Sequence, residues 1–264
     1  MLCIAAGAPL IKLQSVSKIF RSGQEEVHAL RDVSFHINKG EFVSILGPSG
    51  CGKTTLMMIM VGLATADAGE AWIAGRRING PFIDSGIVFQ TPELLEWRTA
   101  LDNVLLQIEV RRLAIRDFVD RARALLTQVG LSGFESKLPF ELSGGMQQRV
   151  ALCRALVHDP EILLMDEPFG ALDALTRDQM NLDLQRIWLE RRKTAVFVTH
   201  SIEEAVFLSD RIVVMTPRPG SIAEIITINL PRPRTVEGKD SPQFNAYTGH
   251  IRKRFLDLGV LQDG

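Results

Sequence analysis

A glycine-rich segment between an apolar run and a helix-like stretch constrains this chain more than any other feature. Residues 47–54 read GPSGCGKT, following the apolar residues 42–46 and preceding the helix-like residues 55–60. Glycines let several backbone N–H groups converge on an anion without clashes from Cβ atoms. The start of the following helix adds the positive end of its dipole. The segment therefore predicts a phosphate-binding loop between a strand and a helix.

Two side chains of this loop predict the chemistry of its ligand. Lys53 is expected to reach the β- and γ-phosphates of a nucleoside triphosphate, and the Thr54 hydroxyl is expected to coordinate Mg²⁺. The backbone of the loop supplies the remaining donors. The residues expected to contact the nucleotide here are Gly47, Pro48, Ser49, Gly50, Cys51, Gly52, Lys53, Thr54 and Thr55.

Composition excludes several classes of function. Of the 264 residues, 46% are apolar, as in globular proteins, and the formal net charge is −1, so no basic field points to nucleic acid. No stretch approaches the roughly 18 consecutive apolar residues that a transmembrane helix needs. The three cysteines form no C-x-x-C pair. They fit a reducing cytoplasm and predict neither a disulfide framework nor a zinc site.

Hydrophobic patterning predicts an α/β chain with a helical insert. Short strands are expected up to about residue 90, helices over about 94–158, and strands alternating with helices over 162–215. The apolar runs 162–165 and 195–198 are typical of strands buried on both faces of a parallel sheet. The other predicted strands are 10–16, 27–30, 33–37, 70–73, 86–89, 212–215 and 222–230. The predicted helices include 118–129, 143–158, 174–192, 202–208 and one from about 244.

An acidic pair follows one of the buried strands. Asp166 and Glu167 end the apolar run 162–165, at the strand edge where ligands gather in α/β sheets. Asp166 is suited to hold Mg²⁺, which prefers hard oxygen ligands. Glu167, one residue further, is suited to orient and deprotonate an attacking water.

A second glycine-containing segment, LSGGM at residues 142–146, opens a predicted helix. Ser143 is a typical N-cap residue, and the helix N-terminus that it begins is a second place for an anion. This segment is similar to the LSGGQ signature of the ATP-binding cassette (ABC) ATPases. The chain resembles that family from about Leu10 to Pro233, with all of the motifs in order.

The resemblance implies a head-to-tail homodimer that encloses ATP between its subunits. In the family, the signature of one subunit completes the nucleotide site of the other. Asp173 is similar to the aspartate that communicates across the dimer. The residues implied to contact ATP in trans are Ser143, Gly144, Gly145, Met146 and Asp173.

Three further residues match family positions. Phe20 looks like the aromatic residue that stacks on adenine, although Tyr is more usual there. Gln90 looks like the switch-loop glutamine that touches Mg²⁺ and the attacking water, and His200 like the histidine that contacts the γ-phosphate. The implied catalytic set is Glu167, His200, Gln90 and Lys53, and the implied Mg²⁺ ligands are Thr54, Gln90 and Asp166.

The resemblance also implies a class of ABC protein. Residues 94–97, 168–177, 216–220 and 230–234 look like segments of the bacterial importer branch that handles nitrate, taurine and alkyl sulfonates, with Glu96 where Pro is usual. Importers of thiamine precursors are similar, and a soluble ABC ATPase without a transport role is the competing class. The implied partners are transmembrane permease subunits and, indirectly, a periplasmic solute-binding protein. The implied location is the cytoplasmic face of the inner membrane, as a peripheral subunit.

The expected fold is α/β, with a P-loop ATPase core and a mostly parallel sheet. An N-terminal antiparallel β subdomain and an inserted α-helical subdomain are expected to accompany this core. The ABC ATPase domain is predicted at 10–234, with its core at 10–90 and 159–234 and its helical subdomain at 91–158. A C-terminal tail with an amphipathic helix is predicted at 235–264.

Overall fold

The computed structural model describes residues 9–23 and 25–261. These divide into two compact units. The first comprises the described residues up to Ile83 together with those from Arg192 onwards, and the second is Asp84–Arg191. Among the described residues, no helix is both long and apolar enough to cross a membrane.

The described chain contains both strands and helices, which alternate one by one over residues 162–215. The strands are β1 (Ile11–Ser22), β2 (Glu25–Ile37), β3 (Phe42–Leu46), β4 (Ala68–Ile73), β5 (Arg76–Arg77), β6 (Ser85–Val88), β7 (Ile162–Asp166), β8 (Thr194–Thr199), β9 (Arg211–Met215) and β10 (Ile222–Thr227). The helices are α1 (Lys53–Met60), α2 (Ala100–Val110), α3 (Val119–Gln128), α4 (Gly144–Leu156), α5 (Ala174–Arg191), α6 (Ile202–Leu208) and α7 (Pro242–Asp257). Short 3₁₀ turns lie at Ile115–Asp117, Pro139–Glu141 and Glu237–Asp240.

The first unit contains an antiparallel sheet in the order β2-β1-β4-β5. Its β1 strand carries bulges on both sides. At one of them Ser15 has a φ of +49°, and a Cβ atom at Gly69 would lie 2.2 Å from the Ser15 carbonyl oxygen. Only glycine allows the backbones to approach this closely. This sheet confirms the expected N-terminal antiparallel β region.

The first unit also contains a largely parallel set of strands in the order β10-β9-β3-β8. The central strand β3 is buried at every position and pairs in parallel with β8 on one side and β9 on the other. Strand β10 pairs with β9 in the antiparallel direction. The apolar runs predicted as buried strands, 162–165 in β7 and 195–198 in β8, are confirmed, because every residue of both strands is buried.

The β2 strand differs from the sequence prediction. Two short strands were expected at 27–30 and 33–37, but one strand runs over Glu25–Ile37. The polar residues between the two apolar runs form an irregularity inside the strand, where Asp32 has a φ of +47°. The Asp32 N–H donates to the Ser17 hydroxyl at 3.0 Å. A side chain of β1 thus replaces one ladder bond, and the pairing continues past the bulge.

The second unit pairs β6 with β7 in parallel and also contains helices α2 to α5. Helix α4 packs on α2, α3 and β6, and most of its residues from 148 to 156 are buried. Gly86 lies in β6 where a Cβ atom would be 2.2 Å from the Ala155 carbonyl oxygen. The strand and the helix therefore approach as closely as glycine permits.

The tail helix α7 packs on α6 in the first unit. Phe244, Ile251 and Phe255 are buried along one face of α7, as the predicted amphipathic pattern requires. The Tyr247 hydroxyl accepts a hydrogen bond from the Asn229 N–H at 3.0 Å. Helix α7 is thus tied to the first unit by packing and by a hydrogen bond.

Candidate functional site

The glycine-rich loop leaves β3 and begins α1, as predicted. Gly50 and Gly52 have φ angles of +73° and +100°, in the region that favours glycine. A Cβ atom at Gly52 would also lie 2.8 Å from the Ala29 carbonyl oxygen of β2. Glycine is therefore required here by both backbone conformation and space, and the loop can turn sharply into the helix.

Lys53 lies inside this loop. Its side chain is 5% exposed, and its Nζ donates to the carbonyl oxygens of Gly47 at 3.0 Å and Pro48 at 3.1 Å. The Leu56 N–H donates to the Gly52 carbonyl at 2.8 Å, which begins the ladder of α1. A buried ammonium held over a helix N-terminus concentrates positive charge at one point. That arrangement suits a polyphosphate.

Cys51 contributes its backbone rather than its side chain to the loop surface. The side chain is 1% exposed, and a Cβ atom at Gly47 would lie 2.9 Å from its Sγ atom. A larger side chain at Gly47 would therefore collide with the buried thiol. The glycine at the start of the loop is required by space.

His200 follows the strand next to β3. Leu46 and Thr199 are register partners in the β3–β8 pair, so the phosphate loop and His200 leave the same edge of these strands. The Thr199 hydroxyl donates to the Glu204 carboxylate at 2.5 Å and accepts from the Ser201 N–H at 3.0 Å. The Thr199 side chain and the Ser201 N–H, which flank His200, are therefore held in place.

Phe20 lies on β1, in the antiparallel sheet of the same unit. It pairs with Val27 of β2, and its ring is 48% exposed. The ammonium of Lys18 lies 5.5 Å from the ring centroid. An exposed aromatic face of this kind can stack on a planar base.

In the second unit, Gln90 and the acidic pair leave the same strand edge. Val88 of β6 and Met165 of β7 are register partners, and Gln90 and Asp166 follow them. Asp166 is 8% exposed. Glu167 has a φ of +44°, a strained conformation for a residue with a side chain, and it turns the chain sharply off the strand. Strained backbone conformations of this kind cluster at functional sites, so the strain supports a functional role for Glu167.

Two polar side chains of α4 hold the segment that follows Gln90. The Gln148 side-chain amide donates to the Phe89 carbonyl at 3.1 Å. The Arg154 guanidinium donates to the carbonyls of Pro92 and Glu93, each at 2.6 Å. Both side chains are buried, and burial lowers the pKa of Arg154 from its ordinary value. Helix α4 therefore fixes the path of the backbone around Gln90.

The predicted N-cap of α4 is confirmed. Ser143 accepts a hydrogen bond from the Met146 N–H at 3.3 Å. A Cβ atom at Gly145 would lie 3.0 Å from the Thr176 methyl group, whereas one at Gly144 would meet nothing within 4 Å. The two glycines therefore differ, because Gly145 packs against the start of α5 and Gly144 faces open space.

Asp173 caps α5. Its carboxylate accepts from the Thr176 N–H at 3.0 Å and from the Thr176 hydroxyl at 2.7 Å. These bonds from Thr176 lower the pKa of Asp173. The sequence suggested only a role across a dimer, and the structure adds a role in helix capping.

The predicted site residues therefore fall into two groups. The first unit carries Phe20, residues 47–55 and His200, and the second carries Gln90, residues 143–146, Asp166, Glu167 and Asp173. Residues that hold these groups in place were missed. The only local signals for them were an arginine inside the apolar run 150–156 and the TPRPG segment at 216–220. The residues missed are Gln148, Arg154, Thr199, Glu204, Arg218 and Gly220.

The loop between β3 and α1, at the edge of parallel strands, defines a P-loop nucleotide-binding protein. Comparison with known proteins specifies the class further. The family model described as ABC transporter matches residues 30–170, more than half of the chain. The chain belongs to the ABC transporter family, and it is an ATP-binding ABC ATPase.

Several relatives align over most of the chain. The aliphatic sulfonates import ATP-binding protein SsuB of Bacillus cereus is 41% identical over 96% of this chain and 98% of its own. The taurine import ATP-binding protein TauB of Pelagibacter ubique is 46% identical over 79% of each chain.

Solved structures show the same fold. The dimeric structure of MJ0796, a bacterial ABC transporter cassette, has a TM-score of 0.74 at 36% identity, over 83% of this chain and 99% of that one. A post-hydrolysis state of that cassette, bound to ADP and Pi, has a TM-score of 0.72 at 34% identity, over the same shares. These matches confirm the expected α/β fold of an ABC ATPase.

Proposed function

We propose that the chain is the ATP-hydrolysing subunit of a bacterial importer for a small anionic or zwitterionic solute, an alkyl sulfonate, taurine or nitrate. The observation that carries the proposal is the identity of more than 40% with SsuB and TauB proteins over most of the chain. A transported solute does not touch an ATPase subunit, so its class rests on these relatives and not on the residues of the site.

The nucleotide is held by backbone and side chains of the first unit. Phe20 stacks on the adenine, and the N–H groups of residues 47–55 bind the phosphates together with Lys53. His200 contacts the γ-phosphate. The support for these roles is the positive charge buried in the loop at Lys53 and the shared strand edge of β3 and β8.

The donor set of Thr54, Gln90 and Asp166 fits Mg²⁺, since it offers a hydroxyl, an amide oxygen and a carboxylate. These residues would hold the ion, and the ion would neutralise charge on the β- and γ-phosphates. Glu167 accepts a proton from the attacking water, which Gln90 orients. Because phosphoryl transfer needs little covalent chemistry from the protein, these residues act by positioning and by charge.

The functional unit is a homodimer. Residues 143–146 at the start of α4 contact the nucleotide held by the phosphate loop of the other subunit, and Asp173 lies at the dimer contact. The support is twofold: the similar cassette is dimeric, and Gly144 faces open space at a helix N-terminus. A helix N-terminus without a nearby obstacle can receive an anion.

The partners are permease subunits in the membrane, and the chain is peripheral on its cytoplasmic face. Trp97, in the segment after Gln90, has 76% of its surface exposed. A large exposed aromatic side chain is typical of a protein interface. A periplasmic solute-binding protein acts through the permease, without contact to this chain.

Purification from detergent-solubilised membranes tests this function. The tagged chain should retain a polytopic membrane subunit, and the complex in vesicles should take up a labelled sulfonate, taurine or nitrate with ATP. Glu167→Gln should lower both ATP turnover and uptake by at least about 100-fold while ATP still binds, because the attacking water loses its base.

Glu190→Gln is the matched control, since Glu190 is exposed on α5 of the same unit. Its turnover should equal that of the unmodified protein. An ATPase that retains no membrane subunit would contradict the importer and favour a soluble ABC ATPase. Uptake of a thiamine precursor alone would contradict the solute class. Turnover by Glu167→Gln at the ordinary rate would contradict the catalytic assignment.

A further inference from the structure

The TPRPG segment forms a closed turn after β9. The Thr216 N–H donates to the Ser221 carbonyl at 2.9 Å, and the Ser221 N–H donates back to the Thr216 hydroxyl at 3.0 Å. That hydroxyl also donates to the Pro219 carbonyl at 3.2 Å. The 216–221 turn is therefore fixed by its own hydrogen bonds, and it can act as a rigid support for another segment.

Arg218 connects this turn to the phosphate loop. Its Nε and Nη2 both donate to the carbonyl oxygen of Gly50, at 3.0 and 2.9 Å. The C=O and N–H groups of a trans peptide point in opposite directions. The Cys51 N–H of the same peptide accordingly points across the loop, towards the Pro48 carbonyl at 3.4 Å, which also accepts from Lys53. Arg218 thus fixes the Gly50 carbonyl oxygen on the side of the 216–221 turn, and the Cys51 N–H of the same peptide is held on the side of Pro48.

Gly220 brings the backbone of the turn against the loop. A Cβ atom there would lie 2.0 Å from the Cys51 carbonyl oxygen. Two hydrogen bonds also connect Gly220 to β2. The Gly220 N–H donates to the Ala29 carbonyl, and the Gly220 carbonyl accepts from the Arg31 N–H, both at 2.9 Å. The loop therefore rests on a backbone that is itself anchored in the antiparallel sheet.

We propose that Arg218 and Gly220 position the phosphate loop, and that Arg218 is a positioning residue for ATP binding. An anion needs inward N–H groups, and a carbonyl oxygen turned inward would repel the phosphate. Two donors of a guanidinium on the Gly50 carbonyl keep that peptide in the binding orientation before ATP arrives. The proposal rests on the phosphate-loop role proposed above for residues 47–55.

Substitution of Arg218 tests this role. Arg218→Ala should raise the Kd for ATP by about five- to tenfold, the range expected for the net contribution of one hydrogen bond. The KM for ATP should rise similarly while kcat at saturating ATP stays within about twofold, because the filled site restores the loop. The melting temperature without nucleotide should change little, since Arg218 is exposed.

High salt and a conservative variant distinguish two effects of Arg218: attraction of the nucleotide by its charge, and positioning of the loop by its hydrogen bonds. Arg218→Lys keeps the charge but loses the paired N–H donors of the guanidinium. The Kd of this variant for ATP should therefore lie between those of the unmodified protein and Arg218→Ala. The effect of Arg218→Ala should persist at about 0.5 M salt, where attraction between exposed charges is screened. Arg252→Ala, which removes a 57% exposed arginine from α7, should leave the Kd unchanged.

Three results would overturn the proposal. One is a Kd for Arg218→Ala equal to that of Arg252→Ala. Another is an effect of Arg218→Ala that disappears at high salt, which would indicate attraction of the nucleotide alone. The third is an unchanged Kd in Gly220→Ala, since the added methyl must displace the Cys51 carbonyl. Lys53→Ala separates the two proposals: if it too binds ATP normally, the phosphate-loop role itself is wrong.

Discussion

At the scale of single residues, buried polar side chains fix several of the backbone segments that carry the candidate site. Glu204 is 6% exposed and accepts from the Thr199 hydroxyl beside His200. Arg154 is 8% exposed and donates to two carbonyls beyond Gln90. Buried polar groups of this kind are stable only when they are bonded, so they define one geometry for the segments that they contact.

His158 is a half-buried residue whose protonation has a measurable consequence for stability. Burial lowers its pKa to about 4, and the nearby charge of Arg111 acts in the same direction. The ring Nε2 lies 3.2 Å from the Ser85 carbonyl oxygen, which can only accept, so this nitrogen carries the proton of a neutral ring. The folded chain therefore takes up a proton here at a lower pH than the unfolded chain.

The free energy of unfolding should consequently fall as the pH falls from about 6.5 towards 4, where the unfolded chain binds the extra proton. His158→Gln keeps a donor for the Ser85 carbonyl and removes the titration. This variant should lose less stability than the unmodified protein over that range, by roughly 1–2 kcal/mol after allowance for solvent screening. Denaturant unfolding at several pH values measures the difference.

His28→Gln is the control, because it removes an exposed histidine and leaves the contact of His158 with the Ser85 carbonyl intact. Parallel stability curves for His158→Gln and the unmodified protein would show that the ring titrates normally. The prediction that the His158 imidazole stays neutral in the folded protein would then be wrong.

At the scale of elements, α4 connects most of the second unit. On one side, Arg149 donates to the Val129 carbonyl beyond α3 at 2.6 Å and pairs with Asp183 of α5 at 3.4 Å. On the other side, Gln148 and Arg154 bond the backbone on either side of Gln90. One helix thus carries Ser143 at its N-terminus and supports the segment around Gln90 along its length. A shift of α4 would move both.

Arg154→Ala tests the support that α4 gives to this segment. Two carbonyls lose their donor, and Glu93, with a φ of +48°, loses the contact that holds its strained conformation. We expect hydrogen exchange to rise at residues 89–95 well above the rest of the second unit, and stability to fall by about 2–3 kcal/mol. Exchange measured by mass spectrometry on peptides that cover this segment gives the result.

Arg123→Ala is the matched control, because Arg123 is exposed on α3 of the same unit. It should leave exchange unchanged throughout. A uniform rise over the whole second unit in Arg154→Ala would contradict a local support and would indicate general destabilisation.

Local signals account for the elements that the sequence predicted well. The Ser143 cap, the φ of +75° at Gly130 and the bounds of α6 at Ile202–Leu208 follow from residues within one or two turns. Short sequence motifs likewise predict the fold class and the residue types of the candidate site. The contacts of Arg218 with Gly50 and of Arg154 with Pro92 join positions 168 and 62 apart. No local pattern predicts such a pairing, because it depends on how the elements pack.

At the scale of the whole molecule, each chain carries one phosphate loop and one signature helix N-terminus. If each nucleotide lies between the loop of one subunit and the signature of the other, defects in the two halves should complement when they lie on different chains. Lys53→Ala removes the ammonium of the loop. Gly144→Asp places a carboxylate at the start of α4, where a Cβ atom meets nothing within 4 Å, so the fold should be retained.

Neither variant alone should hydrolyse ATP above background, because every site of its homodimer is defective. Equal mixing should give heterodimers in which one site combines an intact loop with an intact signature. About a quarter of the sites of the unmodified protein should then be restored, as random pairing makes half of the dimers mixed. Adding chains with both substitutions to Lys53→Ala should restore nothing, since no intact loop is present. ATP turnover in the mixture equal to the mean of the separate variants would contradict a site shared between subunits.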